Sequence, residues 1–187
     1  MRVGLLGGSF NPAHAGHVHA SALALKALHL DYVWWLVSPQ NPLKPEQGMA
    51  GFSQRLAAAR NVTRHPRIVA TGIEAELGTR FTIDTLAALK HRFPNVRFVW
   101  LMGSDNLVQL PRWRRWQDIF SFMPVAVIAR PGTALSARHS KPATRFKGRQ
   151  IAPNSRLPLA RPPVWAVIDC GQRNPSSATA IRAASRS

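Results

Sequence analysis

Apolar residues in this chain come in short bursts, separated by stretches where they recur every third or fourth position. The bursts of strand length are residues 2–6 (RVGLL), 32–37 (YVWWLV), 67–70 (RIVA), 96–102 (VRFVWLM), 125–129 (VAVIA) and 164–168 (VWAVI). Runs this short and this continuously apolar suit strands covered on both faces. Between them, residues 17–29, 52–63 and 82–92 carry helical spacing, with Ala20, Leu23, Ala24 and Ala27 on one face of the first. Strands alternating with helices predict βαβ units. The expected fold is therefore α/β, a single Rossmann-like, doubly wound parallel sheet with helices on both faces. Residues 130–163 break the alternation; with Pro131, Pro142, Pro153, Pro158, Pro162 and Pro163 and little periodicity, they read as one long loop.

Composition narrows the picture further. A chain of 187 residues with 45% apolar and 18% charged residues can bury a sizeable core, which argues for one domain over 1–187 and against wholesale disorder. No apolar run approaches the roughly 20 residues of a spanning helix. The amino terminus, MRVGLLGGSF, is broken by glycines and lacks a signal-peptide core. Cys170 is the only cysteine, so no internal disulfide forms, and a cytoplasmic location is expected.

The charge is far from balanced. Lys and Arg number 25 against 8 Asp and Glu, a formal net charge of +17. Such an excess attracts polyanions, from phosphate-rich small molecules to nucleic acid. From residue 119 to residue 168 there is no acidic residue, whereas Arg130, Arg138, Lys141, Arg145, Lys147 and Arg149 fall there. An RNA-binding module would interleave such residues with exposed aromatics for stacking. Residues 130–163 offer only Phe146, so a nucleic-acid partner gains no support.

The chemistry concentrates after the first strand. There the chain reads Gly7-Gly8-Ser9-Phe10-Asn11-Pro12-Ala13-His14-Ala15-Gly16-His17 and enters a helix. Glycines permit close approach of a ligand to the backbone, and a helix start near His17 would offer unpaired N–H groups and partial positive charge to a phosphate. The spacing matches neither GxGxxG nor a P-loop, and no GxSxG elbow is present. His14, His17 and His19 have no Cys or acidic neighbour in sequence, so no metal site is expected.

The string Gly-Ser-Phe-Asn-Pro-x-His-x-Gly-His resembles the signature of the HxGH nucleotidylyltransferase superfamily. Further segments extend the resemblance over nearly the whole chain. Pro39-Gln40-Asn41-Pro42-Leu43-Lys44 resembles a loop ending in Pro-His-Lys, with Leu43 in place of the histidine. Phe81-Thr82-Ile83-Asp84-Thr85-Leu86 resembles Tyr-Thr-x-x-Thr-Leu, with Phe81 in the tyrosine position. Gly103-Ser104-Asp105-Asn106-Leu107, then Leu110 and Trp113, matches a GxDxLxxLxxW block, and Ser177-Ala178-Thr179-Ala180-Ile181-Arg182 resembles SxTxxR. Together these segments are similar to bacterial nicotinate-nucleotide adenylyltransferases.

The resemblance implies adenylyl transfer from ATP to nicotinate mononucleotide, with nicotinate adenine dinucleotide and pyrophosphate as products. It implies that His14 and His17 contact the ATP phosphates, and that Lys44 and Arg182 hold the β and γ phosphates and the leaving pyrophosphate. Gly8, Ser9, Phe10, Asp105, Ser177 and Thr179 would complete the ATP site, Asp105 on the ribose. Asn11, Thr82 and Trp113 would receive the nicotinate nucleotide. Mg²⁺ would ride mainly on the ATP phosphates, in keeping with that ion's preferences. Read alone, Trp113 could equally be core beside Trp116 and Ile119, Lys44 a surface lysine and Arg182 a solvated tail residue. Within the superfamily, phosphopantetheine adenylyltransferases and cytidylyltransferases share the first motif but do not account for Leu107, Leu110 and Trp113. A nicotinamide-mononucleotide enzyme would differ only in its acceptor. Donors at the start of the helix at residues 82–92 would favour the acid, with Asp84 expected to face solvent. The sequence leaves the oligomeric state open, a homo-oligomer included.

Overall fold

In the computed structural model, which describes residues 1–39, 48–130 and 132–170, the apolar bursts form one parallel sheet. Its strands are β1 (Arg2–Gly8), β2 (Tyr32–Val37), β3 (Ile68–Thr71), β4 (Arg97–Gly103), β5 (Val125–Ala129) and β6 (Trp165–Asp169). They stand in the order β3-β2-β1-β4-β5-β6, every neighbouring pair parallel. This is the doubly wound, Rossmann-like arrangement. The order reverses between β1 and β4, where Leu5 pairs with Trp100 and Leu6 with Leu101. Ligands of such sheets bind at the carboxyl ends of the strands at that reversal. The loops after β1 and β4 therefore flank one crevice.

Both faces of the sheet are covered, which is why the strands are apolar throughout rather than alternating. Leu6, Val99 and Leu101 face α1 (Ala15–Ala27) and α2 (Phe52–Val62), packing with Ala20, Ala24, Leu25 and Ala59. Val3, Leu5, Phe98 and Trp100 face the other way, toward α4 (Thr82–Arg92) and α6 (Trp116–Phe122), through Ile83, Leu86, Leu89, Ile119 and Phe120. A four-residue helix, α3 (Ile73–Glu76), follows β3, and α5 (Ser104–Gln109) follows β4 directly.

Two expectations need correction. The first helix spans Ala15–Ala27 rather than 17–29, because His14 caps it. Residues 130–163 are also not a structureless loop: they hold α7 (Ala134–Arg138), α8 (Lys141–Arg145) and short 3-10 turns at Lys147–Arg149 and Leu157–Leu159. Tertiary packing stabilises these short pieces. Ser140 caps α8, Phe146 stacks on Phe120 with ring centroids 4.4 Å apart, and the Trp165 indole donates to the Phe146 carbonyl at 2.8 Å. Among the described residues no helix is long and apolar enough to cross a membrane.

Candidate active site

The two motif histidines are arranged by the start of α1. His14 has extended backbone and is its N-cap; its Nδ1 accepts the N–H of Gly16 at 3.1 Å. His17, one turn on, accepts the N–H of His14 on its own Nδ1 at 3.3 Å, and its backbone N–H donates to the His14 carbonyl at 2.9 Å. The first-turn amides at Gly16 and His17 are thus already bonded, contrary to the expectation of free N–H groups near His17. Imidazoles take over the role of donors. With both Nδ1 atoms accepting, each neutral ring carries its proton on Nε2. Burial, and secondarily the positive charge of Arg130, push the His14 pKa below its usual value, which keeps that ring neutral at pH 7.

An aromatic platform holds the pair. Phe10 is 3% exposed and stacks on Trp35, ring centroids 4.9 Å apart at 12°, while His17 meets Phe10 at 4.9 Å and Trp35 edge-on at 5.7 Å. Phe10 adopts φ +46°, a left-handed conformation that costs a β-carbon residue about 1–2 kcal/mol and that its packing sustains. Its side chain is committed to this platform, so a nucleotide could meet only its backbone. Ser21 links platform to helix: its hydroxyl donates to the His17 carbonyl and accepts from the Trp35 indole, both at 2.8 Å.

Across the reversal, β4 ends in Gly103 and α5 begins. A β-carbon at Gly103 would collide with the Asp105 carboxylate and crowd the Arg130 guanidinium, so glycine here lets this pair sit close against the end of β4. Asp105 lies 3.4 Å from Nη1 of Arg130 through each oxygen, and among the described residues its buried Oδ1 accepts no hydrogen bond. Arg130, which sequence reasoning missed, follows β5 and is fixed by its backbone N–H on Ser104 Oγ at 2.9 Å. Its only sequence signal was its place directly after an apolar strand.

On the sheet face opposite α1 lie Thr82 and Trp113. Thr82 opens α4, whose N-cap, Phe81, supplies no side-chain acceptor. Trp113 is half-buried and meets Trp100 edge to face at 6.4 Å. The Phe81 ring lies under the guanidinium of Arg114 at 4.7 Å, joining the segment that carries Thr82 to the one that carries Trp113. Asp84, expected to face solvent, is half-buried. Asn11 stands apart from these residues: its amide donates to the Gly48 carbonyl and accepts from the Ala50 N–H, each at 3.3 Å, and so anchors a loop. Gly8 and Ser9 shape the turn through their carbonyls, which accept from the Ser38 N–H at 2.9 Å and from Arg55 at 2.6 Å. Lys44, Ser177, Thr179 and Arg182 lie outside the described residues.

Two further ionisable residues escaped the sequence, Arg55 buried and Glu74 half-buried. Arg55, 2% exposed on α2, donates to the carbonyls of Ser9, Ser38, Pro39 and Ala50 and so ties together the loops after β1 and β2. Glu74 accepts from Thr85 at 3.1 Å, and Thr85 in turn pairs with Thr79 at 2.8 Å. Burial raises the Glu74 pKa to about 7, against the opposing pull of hydrogen bonds from Thr85 and Ser38.

A cytidylyltransferase-like family model matches residues 5–184. A protein of Parvibaculum lavamentivorans named "probable nicotinate-nucleotide adenylyltransferase" is 56% identical over 184 residues, covering 97% of this chain and 91% of its own. A protein of Cereibacter sphaeroides with the same name is 58% identical over 186 residues, covering 100% and 99%. The chain belongs to the nicotinate-nucleotide adenylyltransferase family.

Among solved structures, this family member shares its fold with the Plasmodium falciparum nicotinic acid mononucleotide adenylyltransferase, in complexes described with APC and with NaAD. The match to the APC complex has a TM-score of 0.70 at 16% identity, covering 97% of this chain and 82% of the other; the NaAD complex matches at 0.70 and 17% over the same shares.

Proposed function

We propose that the crevice between β1 and β4 joins ATP to nicotinate mononucleotide. A 5′-phosphate oxygen of the mononucleotide attacks the α-phosphorus of ATP in line; the bond from that phosphorus to the bridging oxygen breaks, and pyrophosphate leaves with the bond's electron pair. The nucleophile is already an anion at neutral pH, so the protein needs no general base. It must position two polyanions and neutralise charge as the transition state develops.

The observation that carries this reading is the His14–His17 pair, two imidazoles whose Nδ1 atoms are both tied to backbone amides. Locked this way, they act as two Nε2–H donors on the phosphates, pre-oriented without reorganisation during the reaction. Arg130 adds a fixed positive charge at the end of β5, and Oδ1 of Asp105, which accepts no hydrogen bond among the described residues, suits a ribose hydroxyl, which can donate to it. Among the described residues the donor set at the crevice is two neutral imidazoles and Arg130, and the Asp105 carboxylate is paired with Arg130. That set suits a Mg²⁺ ion carried into the site by the ATP phosphates. Thr82 and Trp113 make the acceptor side, with Trp113 offering a ring face to the pyridine. Lys44 and Arg182 keep their phosphate roles by resemblance, as do Ser177 and Thr179 their places in the ATP site. The single cysteine accords with a cytoplasmic enzyme.

The test is direct. Purified protein with ATP, Mg²⁺ and nicotinate mononucleotide should release pyrophosphate and form the dinucleotide in equal amounts. Pyrophosphate release independent of the mononucleotide, or no release, overturns the reading.

A further inference from the structure

Trp100 is placed in β4 on the sheet face that packs against α4 and α6. Its register partner on β1 is Leu5. Its ring continues toward the carboxyl end of the sheet, so that a β-carbon on Gly7 would run into the six-membered ring. Gly7 therefore admits the indole to the level where the Gly7–His17 segment begins. On another side the ring meets Trp113 edge to face at 76°. Trp100 is 2% exposed, and among the described residues its Nε1–H finds no hydrogen-bond acceptor.

The buried indoles of Trp35 and Trp165 both have partners, Ser21 and the Phe146 carbonyl, at 2.8 Å each. A buried donor without a partner is costly, and a native fold that keeps one beside its ligand crevice points to an acceptor that arrives with the ligand. The start of α4, on the same sheet face, likewise has no side-chain cap; its Asp84 and Thr85 N–H groups bond to the Phe81 carbonyl, which leaves the Thr82 and Ile83 amides as its donors.

We propose that the Trp100 indole N–H donates to the carboxylate on the pyridine ring of the acceptor nucleotide and, with the first turn of α4, selects the acid over the amide. This rests on the assignment of Thr82 and Trp113 to the acceptor side. The discrimination follows from hydrogen-bond inventory. An indole N–H and a helix N-terminus can only donate. A carboxylate accepts from both; a carboxamide offers its carbonyl to one and turns its NH₂ group on the other. Trp113, by stacking on the ring, serves both acceptors alike.

The test is Trp100→Phe, which keeps an aromatic ring on β4 and removes the N–H donor together with part of the ring that abuts Gly7; lost packing alone would weaken both acceptors alike. At saturating ATP, kcat/KM for nicotinate mononucleotide should fall by about 10- to 100-fold, chiefly through KM, the range for a hydrogen bond to a charged group. With nicotinamide mononucleotide the change should stay within about threefold, because the carbonyl can turn to the helix donors instead. An equal fall with both acceptors, or no fall in a folded variant, overturns the proposal. A wild-type protein that adenylylates neither acceptor would instead defeat the reaction assignment. Should the variant not fold, ¹⁵N-tryptophan-labelled wild type gives the answer. The Trp100 indole resonance should move downfield on saturation with nicotinate mononucleotide and much less with the amide; no shift, or the same shift with both, overturns the proposal.

Discussion

Nδ1 of His17 accepts the backbone N–H of His14 at 3.3 Å, so the second motif histidine fixes the backbone of the first. Because His14 in turn caps Gly16, neither ring can change tautomer without breaking a bond that shapes the start of α1. His17→Ala removes one phosphate donor and one half of this arrangement. Turnover should drop by about 10²- to 10³-fold, the usual consequence of losing one donor to transition-state charge. Circular dichroism should show the fold intact. A folded variant with near-normal kcat would contradict the role given to His17.

The platform behind His17 can be tested separately. Ser21→Ala leaves the fully buried Trp35 indole N–H without its acceptor and frees the His17 carbonyl. Stability should fall by about 1–3 kcal/mol in urea titration, the cost of a buried unpaired donor. Unchanged stability would mean that the Trp35–Ser21 bond contributes nothing.

Arg114 over Phe81 gives a milder prediction. Exposed cation–π contacts contribute about 0.5–1 kcal/mol, so Arg114→Ala should raise KM for the acceptor nucleotide about two- to fivefold. KM for ATP should stay the same, since ATP is assigned to the other side of the crevice. A rise in the ATP KM alone would contradict the division of the site.

Glu74 makes stability depend on pH in an unusual direction. Its pKa rises from an ordinary 4.5 to about 7 in the folded protein, chiefly through burial. The folded state therefore holds a proton that the unfolded state has lost between those values. The contribution is fully present below about pH 4.5 and disappears as pH rises through about 7. Glu74→Gln should flatten the fall in Tm across that window. Parallel Tm–pH curves for the two proteins would contradict this placement of Glu74.

The sheet was legible because its strands are buried on both faces: YVWWLV and VAVIA can hardly be anything else at that length between helical stretches. The neighbouring of β1 and β4, and with it the crevice, came from the structure: two Gly-containing loops after apolar strands flank one crevice only if those strands pair. The helix boundary at His14 was not legible, since histidine is an uncommon cap and only its contact with Gly16 reveals it. Helices α7 and α8 were missed because five-residue helices have no period to read; Ser140 and the Phe146 stack hold them. Arg55 and Glu74 were illegible for a related reason. Each derives its burial from loops or helices distant in sequence, Arg55 from four carbonyls and Glu74 from Thr85 and Ser38. Asn11 belonged to the recognisable motif, yet its amide is engaged by Gly48 and Ala50. A motif names a residue type; only the fold shows what its side chain touches.

The most direct test of the central claim is a competition of the two acceptors for one pool of ATP, with both dinucleotide products and pyrophosphate quantified together. The account predicts pyrophosphate equal to the sum of the dinucleotides, with kcat/KM favouring nicotinate mononucleotide by about tenfold or more, since a donor left unpaired against the amide costs 1–3 kcal/mol. Equal or better use of nicotinamide mononucleotide, or pyrophosphate formed without either dinucleotide, would contradict it.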